Sequence, residues 1–134
     1  SENVSKVDIG NFLNLMKHAG QLTGIDEELM DAGCALSGCG PAFVFKFIRA
    51  LAQGGIDAGI DSETALALAV QTVKGAAKLL EQSNTGIDKL IENVCSPGGS
   101  TIEGVKLLDA EGMEKAVSDA VAASYQRNIE LGKA

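Results

Sequence analysis

The sequence has few aromatic residues and no tryptophan, since four phenylalanines and one tyrosine make up 4% of its 134 residues. All-β cores depend on aromatic and β-branched side chains, so this scarcity argues against a sandwich or a barrel. Hydrophobic residues still supply 46% of the chain. Alanine and glycine are prominent among the small residues, and alanine is the strongest helix former. We therefore expect one helical domain of ordinary size.

Basic residues are also scarce, with 11 lysines and arginines against 18 acidic residues and a net charge of -7. Such a chain repels a phosphate backbone and offers no basic surface to anionic lipid. The longest apolar stretches are interrupted by Lys46, Arg49, Gln71 and Lys74, which disfavours a membrane span. We expect neither a nucleic-acid partner nor a membrane segment.

Cysteine is limited to Cys34, Cys39 and Cys95, and His18 is the single histidine. The three thiols form no Cys-x-x-Cys pair and have no histidine nearby, so we expect neither a disulfide framework nor a metal site. Such cysteines are typically small buried hydrophobes. Residues 1–6 lack the apolar core of a signal peptide, and a cytoplasmic location is expected. A thiol-based redox protein is a weaker alternative, because it requires an exposed cysteine of low pKa.

Apolar residues recur at helical spacing along almost the whole chain, and no strand-like alternation exceeds a few residues. Asp26 can provide the N-cap of a short second helix. The pattern predicts an all-α domain with helices over Ile9 to Gly20, Ile25 to Ala32, Pro41 to about Gly54, Asp61 to Gln82, Thr85 to Val94, Thr101 to Asp109 and Gly112 to Gly132.

The helices that begin at Pro41 and Asp61 are apolar on nearly all sides. Helices of this kind must be buried on nearly all sides, yet a lone bundle of 134 residues has few fully interior positions. A second subunit is the natural cover for them.

The segment between the helices ending at Val94 and beginning at Thr101 is rich in turn residues. Pro97 cannot continue the first helix, whereas Gly98 and Gly99 allow the backbone to approach a ligand closely. Ser100, with Glu103 three residues later, matches a capping box for the next helix.

The same segment contains groups that could bind an anion. The amides at a helix N-terminus, flanked by the hydroxyls of Ser96, Ser100 and Thr101, suit a small anion such as a carboxylate. The alternative is a glycine-rich turn that binds nothing, since the capping box explains half of the pattern without a ligand.

Two glycine-containing segments resemble pyrroline-5-carboxylate reductase. Residues 36–43, Leu-Ser-Gly-Cys-Gly-Pro-Ala-Phe, resemble its conserved helix opening, and residues 93–104, Asn-Val-Cys-Ser-Pro-Gly-Gly-Ser-Thr-Ile-Glu-Gly, resemble its signature. The resemblance runs from about Glu2 to the C-terminus. It implies an interlocked helical dimerisation domain, similar to the C-terminal domain of 6-phosphogluconate dehydrogenase, that forms a homodimer or a higher assembly of dimers.

In this family an N-terminal Rossmann domain binds NADPH or NADH, and this sequence contains no Gly-x-Gly-x-x-Gly after a strand. The resemblance therefore implies that residues 1–134 are the dimerisation and substrate domain alone, with 1–6 as the linker from a Rossmann domain outside this sequence. This half by itself is expected to be inactive.

The reaction implied by the resemblance is the reduction of L-1-pyrroline-5-carboxylate to L-proline. The loop residues Ser96, Gly98, Gly99, Ser100 and Thr101 would hold the substrate carboxylate. Thr101 matches the family threonine near the ring nitrogen and is expected to be the polar partner of the imine. Further matches are Asn93 for a cofactor contact and Glu27 for an acidic residue beside the substrate.

The alternative function is a helical interaction module that keeps the family's dimer and has no chemistry of its own. The sequence preceding Ser1 in the parent gene separates the two hypotheses. An upstream Gly-x-Gly-x-x-Gly domain supports the reductase, whereas a start codon at that position supports the interaction module.

Overall fold

A computed structural model describes residues 4–133, so residues 1–3 of the predicted linker lie outside the described range. Every regular element in the described range is helical, which confirms the all-α fold class. The elements in chain order are α1 (Lys6–Met16), a 3-10 turn (Glu27–Leu29), α2 (Met30–Gly33), a π turn (Cys34–Gly38), α3 (Gly40–Asp57), α4 (Ser62–Gln82), α5 (Ile87–Val94), α6 (Ser100–Ala110) and α7 (Met113–Leu131).

Helix α1 begins and ends earlier than the apolar pattern predicts. Its N-cap is Ser5, whose hydroxyl accepts a hydrogen bond from the Asp8 amide at 3.2 Å, while the Ser5 amide donates to the Asp8 carboxylate at 3.1 Å. This capping box moves the start back to Lys6. The helix ends at Met16, four residues before Gly20.

The segment predicted as one helix from Ile25 to Ala32 is instead a 3-10 turn that continues into α2, and the π turn follows directly after α2. The prediction for Asp26 is wrong in its mechanism, because the residue lies at the N-cap but its side chain caps no amide. The π turn packs against α7. The side-chain amide of Asn128 on α7 also donates to the carbonyl oxygen of Asp31 in α2 at 3.0 Å, which joins α7 to α2.

Helices α3 and α4 form an antiparallel hairpin that contains the buried core cluster. Gly59, with φ of 98°, occupies the tight connection, where a left-handed backbone favours glycine. The cluster consists of Ala52 from α3 and Ala65 and Ala69 from α4, with Ile48 packed against it. Small side chains at this contact let the two helix backbones approach closely.

Very little of the chain is buried beyond this cluster. Among the described residues, the buried hydrophobic side chains are four alanines, namely the three in the hairpin and Ala35. Large side chains such as Phe12 at 55%, Phe45 at 68% and Leu68 at 53% are exposed. The total accessible surface is 10848 Å², whereas a compact monomer of this mass exposes about 6,600 Å².

One helical stretch, Glu27 to Asp57, is long and apolar enough to cross a membrane by length and composition alone. The core helix of a soluble protein passes the same criterion, but here only 6% of the stretch is buried within the chain. Its apolar surface therefore needs a cover that the described chain does not itself provide.

Asp61 makes the stability of the fold sensitive to acid. The amide of Thr64 donates to its carboxylate at 3.0 Å and thereby lowers the pKa of Asp61 from its ordinary value of 3.8. The stabilisation is complete above that ordinary value and is lost as the pH falls through the lowered value. Asparagine accepts the same hydrogen bond without titrating. Thermal melts of wild type and Asp61→Asn should therefore converge in strong acid, and a constant gap at every pH would contradict this assignment.

Candidate functional site

The segment between α5 and α6 folds as a tight turn. The amide of Gly99 donates to the carbonyl oxygen of Ser96 at 2.9 Å, and Gly98 has φ of 71°. Pro97 at the second position and a left-handed glycine at the third are the signature of a type II turn. A β-carbon on Gly99 would lie 3.1 Å from the Ser96 oxygen, so the backbone doubles back closely on itself.

The predicted capping box at the start of α6 is wrong. The turn makes Gly99 the N-cap, which has no side chain to offer, and Ser100 becomes the first residue of the helix. The Glu103 carboxylate is consequently one residue too far along, and it accepts a hydrogen bond from Lys106 at 2.7 Å instead. The first amides of α6 are therefore left without a side-chain cap and are available to another acceptor.

Hydroxyl groups flank these uncapped amides. Ser96, Ser100 and Thr101 are all exposed, and within residues 4–133 their hydroxyls make no hydrogen bond to another group of the chain. The helix dipole contributes only about 0.3–2 kcal/mol to anion binding, so amides and hydroxyls must provide the selectivity. The turn can bind a small carboxylate in this way.

The remaining predicted residues have different surroundings. Asn93 is exposed in the last turn of α5, beside the loop. Glu27 is exposed at the start of the 3-10 turn, which packs on α2, and no extensive packing between described residues joins that turn to α6. The structure thus brings together the loop residues and Asn93, but it does not bring Glu27 to them within one chain.

The predicted burial of the cysteines is not found. Cys34 is exposed, and Cys39 and Cys95 are only half-buried. The reason is the same as for the large hydrophobic residues, since the described chain contributes few atoms to cover any of them.

A large groove was missed by the sequence analysis. It has a volume of about 980 Å³ and lies between the α3–α4 hairpin on one side and α6 and α7 on the other. The lining is almost entirely apolar and includes Phe43, Phe47, Leu51, Leu68 and Val117. The positions 43, 47, 51 and 54 are spaced for one face of a helix, which is the signal that could have identified this wall.

The turn requires a left-handed backbone at Gly98, which glycine adopts without strain. Gly98→Ala places a β-carbon in the left-handed region and should cost about 1 kcal/mol of stability. The matched control is Gly104→Ala in α6, where no atom apart from the chain neighbours and the helix's own backbone lies within 4 Å of the added carbon. Alanine should gain up to about 1 kcal/mol there. Urea unfolding at one fixed protein concentration measures both, and equal effects at the two sites would contradict the strained-turn interpretation.

Comparison with known proteins agrees with this architecture. The family model described as pyrroline-5-carboxylate reductase dimerisation matches residues 27–131. A pyrroline-5-carboxylate reductase from Aquifex aeolicus is 42% identical over 129 residues, which cover 96% of this chain and 49% of the relative. The chain spans about half the length of the curated relatives it matches.

Solved structures of pyrroline-5-carboxylate reductases share the fold of this chain. A pyrroline-5-carboxylate reductase from Coxiella burnetii superimposes with a TM-score of 0.92 at 31% identity, covering 98% of this chain and 49% of that one. The Plasmodium falciparum pyrroline carboxylate reductase, solved with NADP bound, gives a TM-score of 0.90 at 32% identity, with 98% and 50% covered. This chain is similar to about half of each.

Proposed function

This chain belongs to the pyrroline-5-carboxylate reductase dimerisation family. From that premise we propose that it forms part of a reductase that converts L-1-pyrroline-5-carboxylate to L-proline. In this proposal it supplies the subunit interface and the loop that holds the substrate carboxylate. The observation that carries the proposal is the uncapped N-terminus of α6 beside three exposed hydroxyls.

The substrate carboxylate binds at the Ser96 to Thr101 loop. The glycine backbone at 98 and 99 lets it approach closely, and the first amides of α6 donate to its oxygens. The hydroxyls of Ser96 and Ser100 add donors on either side of the turn. Two or more such bonds fix the ring so that the Thr101 hydroxyl faces the imine nitrogen, and positioning carries most of the catalysis.

The residues described here do not cradle a dinucleotide. A dinucleotide fold requires strands that lead into glycine-rich turns, and residues 4–133 contain no strand. A nicotinamide cofactor, as NADPH or NADH, supplies the hydride when bound to the reductase. Asn93, beside the loop, is the residue of this chain proposed to contact it.

Self-association is part of the proposal, since the family model that matches the chain is one of dimerisation. A second copy covers the apolar surface of the hairpin, and pairs of dimers can assemble further. Glu27 would approach the substrate from the second copy. A cytoplasmic location, where thiols stay reduced, suits three unpaired cysteines.

The test is a reductase assay on the complete gene product. L-1-pyrroline-5-carboxylate should be reduced with oxidation of NADPH or NADH, and 1-pyrroline, which lacks the carboxylate, should show a KM at least about tenfold higher. Equal use of both compounds would remove the carboxylate loop from the proposal. A folded dimer that reduces neither compound would favour an interaction module without chemistry.

A further inference from the structure

Two of the three cysteines mark the ends of the π turn between α2 and α3. The turn spans Cys34–Gly38, and the amide of Cys39 donates to the carbonyl oxygen of Cys34 at 3.1 Å. This backbone bond joins residues that are five apart, whereas an α-helix joins residues that are four apart. The widened turn therefore brings Cys39 one turn above Cys34.

The sulfur of Cys34 lies along this turn. A β-carbon added to Gly38 would lie 3.2 Å from that sulfur, so the space that a side chain at position 38 would fill belongs to the thiol. Side chains one turn apart on a helix have β-carbons about 5–6 Å apart, and a disulfide needs about 3.5–4.5 Å. The two cysteines thus need to approach by about 1–2 Å for their sulfurs to bond.

The thiols of the turn differ in their access to solvent. Cys34 is exposed, whereas Cys39 is half-buried. An exposed thiol reacts first with a dissolved oxidant, and a neighbouring thiol then resolves the product into a disulfide. Cys95 is also half-buried, but no extensive packing between described residues joins α5 or α6 to the π turn. The structure therefore pairs Cys34 with Cys39 and not with Cys95.

The turn lies where three helices meet. It packs against α2, α3 and α7, and the bond from Asn128 on α7 reaches Asp31 in α2, just before the turn. A covalent bond between the two ends of the turn would restrict its opening between α2 and α3. Oxidation at this position therefore acts on a junction of the fold and not on a free end of the chain.

We propose that Cys34 and Cys39 form a reversible dithiol site, which a low-molecular-weight disulfide such as oxidised glutathione converts to an intramolecular disulfide. The Cys34 thiolate attacks one sulfur of the reagent, forms a mixed disulfide and releases one glutathione. The Cys39 thiolate then attacks the Cys34 sulfur, closes the bond between them and releases the second glutathione. The two protein thiols lose two hydrogen atoms in total, and the two glutathione molecules gain them as thiols.

The test is peptide mapping of the complete gene product after exposure to oxidised glutathione at about pH 8, where an ordinary thiol is partly ionised. Free thiols are blocked with iodoacetamide before digestion. Residues 18–46 contain both cysteines of the dithiol site and no trypsin site before Lys46. This peptide should lose two hydrogen atoms on oxidation and regain them with dithiothreitol.

Cys95 is the internal control, because it lies in a separate tryptic peptide, residues 90–106. It should remain a thiol or carry one glutathione. The proposal would be overturned if peptide 18–46 stayed reduced, kept glutathione on its cysteines, or became linked to a second copy of itself. The exchange requires no part of the reductase reaction, so a loss of reductase activity does not affect this result.

A matched variant moves one thiol out of line with the other. The double substitution Cys39→Ser with Gly40→Cys keeps the number of thiols, and a β-carbon at Gly40 meets no atom within 4 Å apart from its chain neighbours and the helix's own backbone. Residues six apart lie on different sides of a helix, so the native variant should form the disulfide at least about tenfold more slowly than wild type.

Urea removes this difference between the two proteins. Loop closure depends only weakly on loop length, so in concentrated urea the rates of wild type and variant should agree within about twofold. Circular dichroism confirms that the variant is helical before oxidation. Equal rates in the native proteins would show that the π turn does not pair the thiols and would refute the dithiol site.

Discussion

Ala69→Asp should leave the protein unfolded at ordinary temperature. Ala69 is 3% exposed and packs at the α3–α4 contact beside Ala52 and Ala65. An aspartate there would place a charge in a cluster whose members are all apolar. An uncompensated buried charge costs about 3–5 kcal/mol, which is a large part of the stability of a typical domain. Circular dichroism at 25 °C should show loss of helix.

Ala67→Asp is the matched control for this substitution. Ala67 lies two residues away on the same helix, on the polar face that carries Glu63, Gln71 and Lys74, and it lines neither the large groove nor a second hollow of about 480 Å³ on the other face of the hairpin. The same change should cost only the difference in helix propensity, about 0.7 kcal/mol. If both variants stayed folded, the alanine cluster would not be the core of the hairpin.

The hairpin was predictable because its signals are local. The pattern predicts the second helix from Asp61 to Gln82, and the structure has it over Ser62–Gln82 with Asp61 as the N-cap. A side chain that caps an amide three residues away needs no tertiary contact, so the sequence reveals it. The capping box between Ser5 and Asp8 is equally local, but the apolar pattern that predicts α1 begins only at Ile9, so the predicted start lies three residues after Lys6.

The segment around the π turn could not be predicted in the same way. Its widened turn, in which the amide of Cys39 donates to the carbonyl of Cys34 at 3.1 Å, lies where the chain packs against α7. The bond from Asn128 to Asp31 joins residues 97 positions apart. No local pattern encodes such a contact, because tertiary packing overrides helix propensity there.

In the loop between α5 and α6, a shift of one residue in the N-cap changes which groups are free to bind an anion. The prediction that the helix ends before Pro97 and that a tight turn follows at Gly98 and Gly99 is confirmed. The hydrogen bond from Gly99 to Ser96, however, decides which residue is the N-cap, and it assigns that position to Gly99 rather than Ser100. In the predicted capping box, the Ser100 hydroxyl would accept a hydrogen bond from an amide in the first turn of α6. In the structure no side chain accepts from these amides, so the candidate anion site has more free donors than the sequence predicts.

Thr101→Ala should lower the turnover of the complete reductase at least about tenfold, which corresponds to roughly 1.4 kcal/mol of transition-state stabilisation. In the proposed mechanism the hydroxyl is the polar partner of the imine nitrogen, and alanine removes it. Thr101 is exposed in the first turn of α6, and alanine has the higher helix propensity. The variant should therefore remain folded, so that a loss of turnover reports on chemistry.

The control variants decide which property of Thr101 matters. Thr101→Ser keeps a hydroxyl and should restore most of the turnover, whereas Ser118→Ala removes one from the exposed side of α7 and should change nothing. The loss in Thr101→Ala should be in kcat more than in KM, because the carboxylate contacts from the amides and from Ser96 and Ser100 remain. A rise in KM at constant kcat would make Thr101 a carboxylate ligand, and an unchanged rate would remove it from the mechanism.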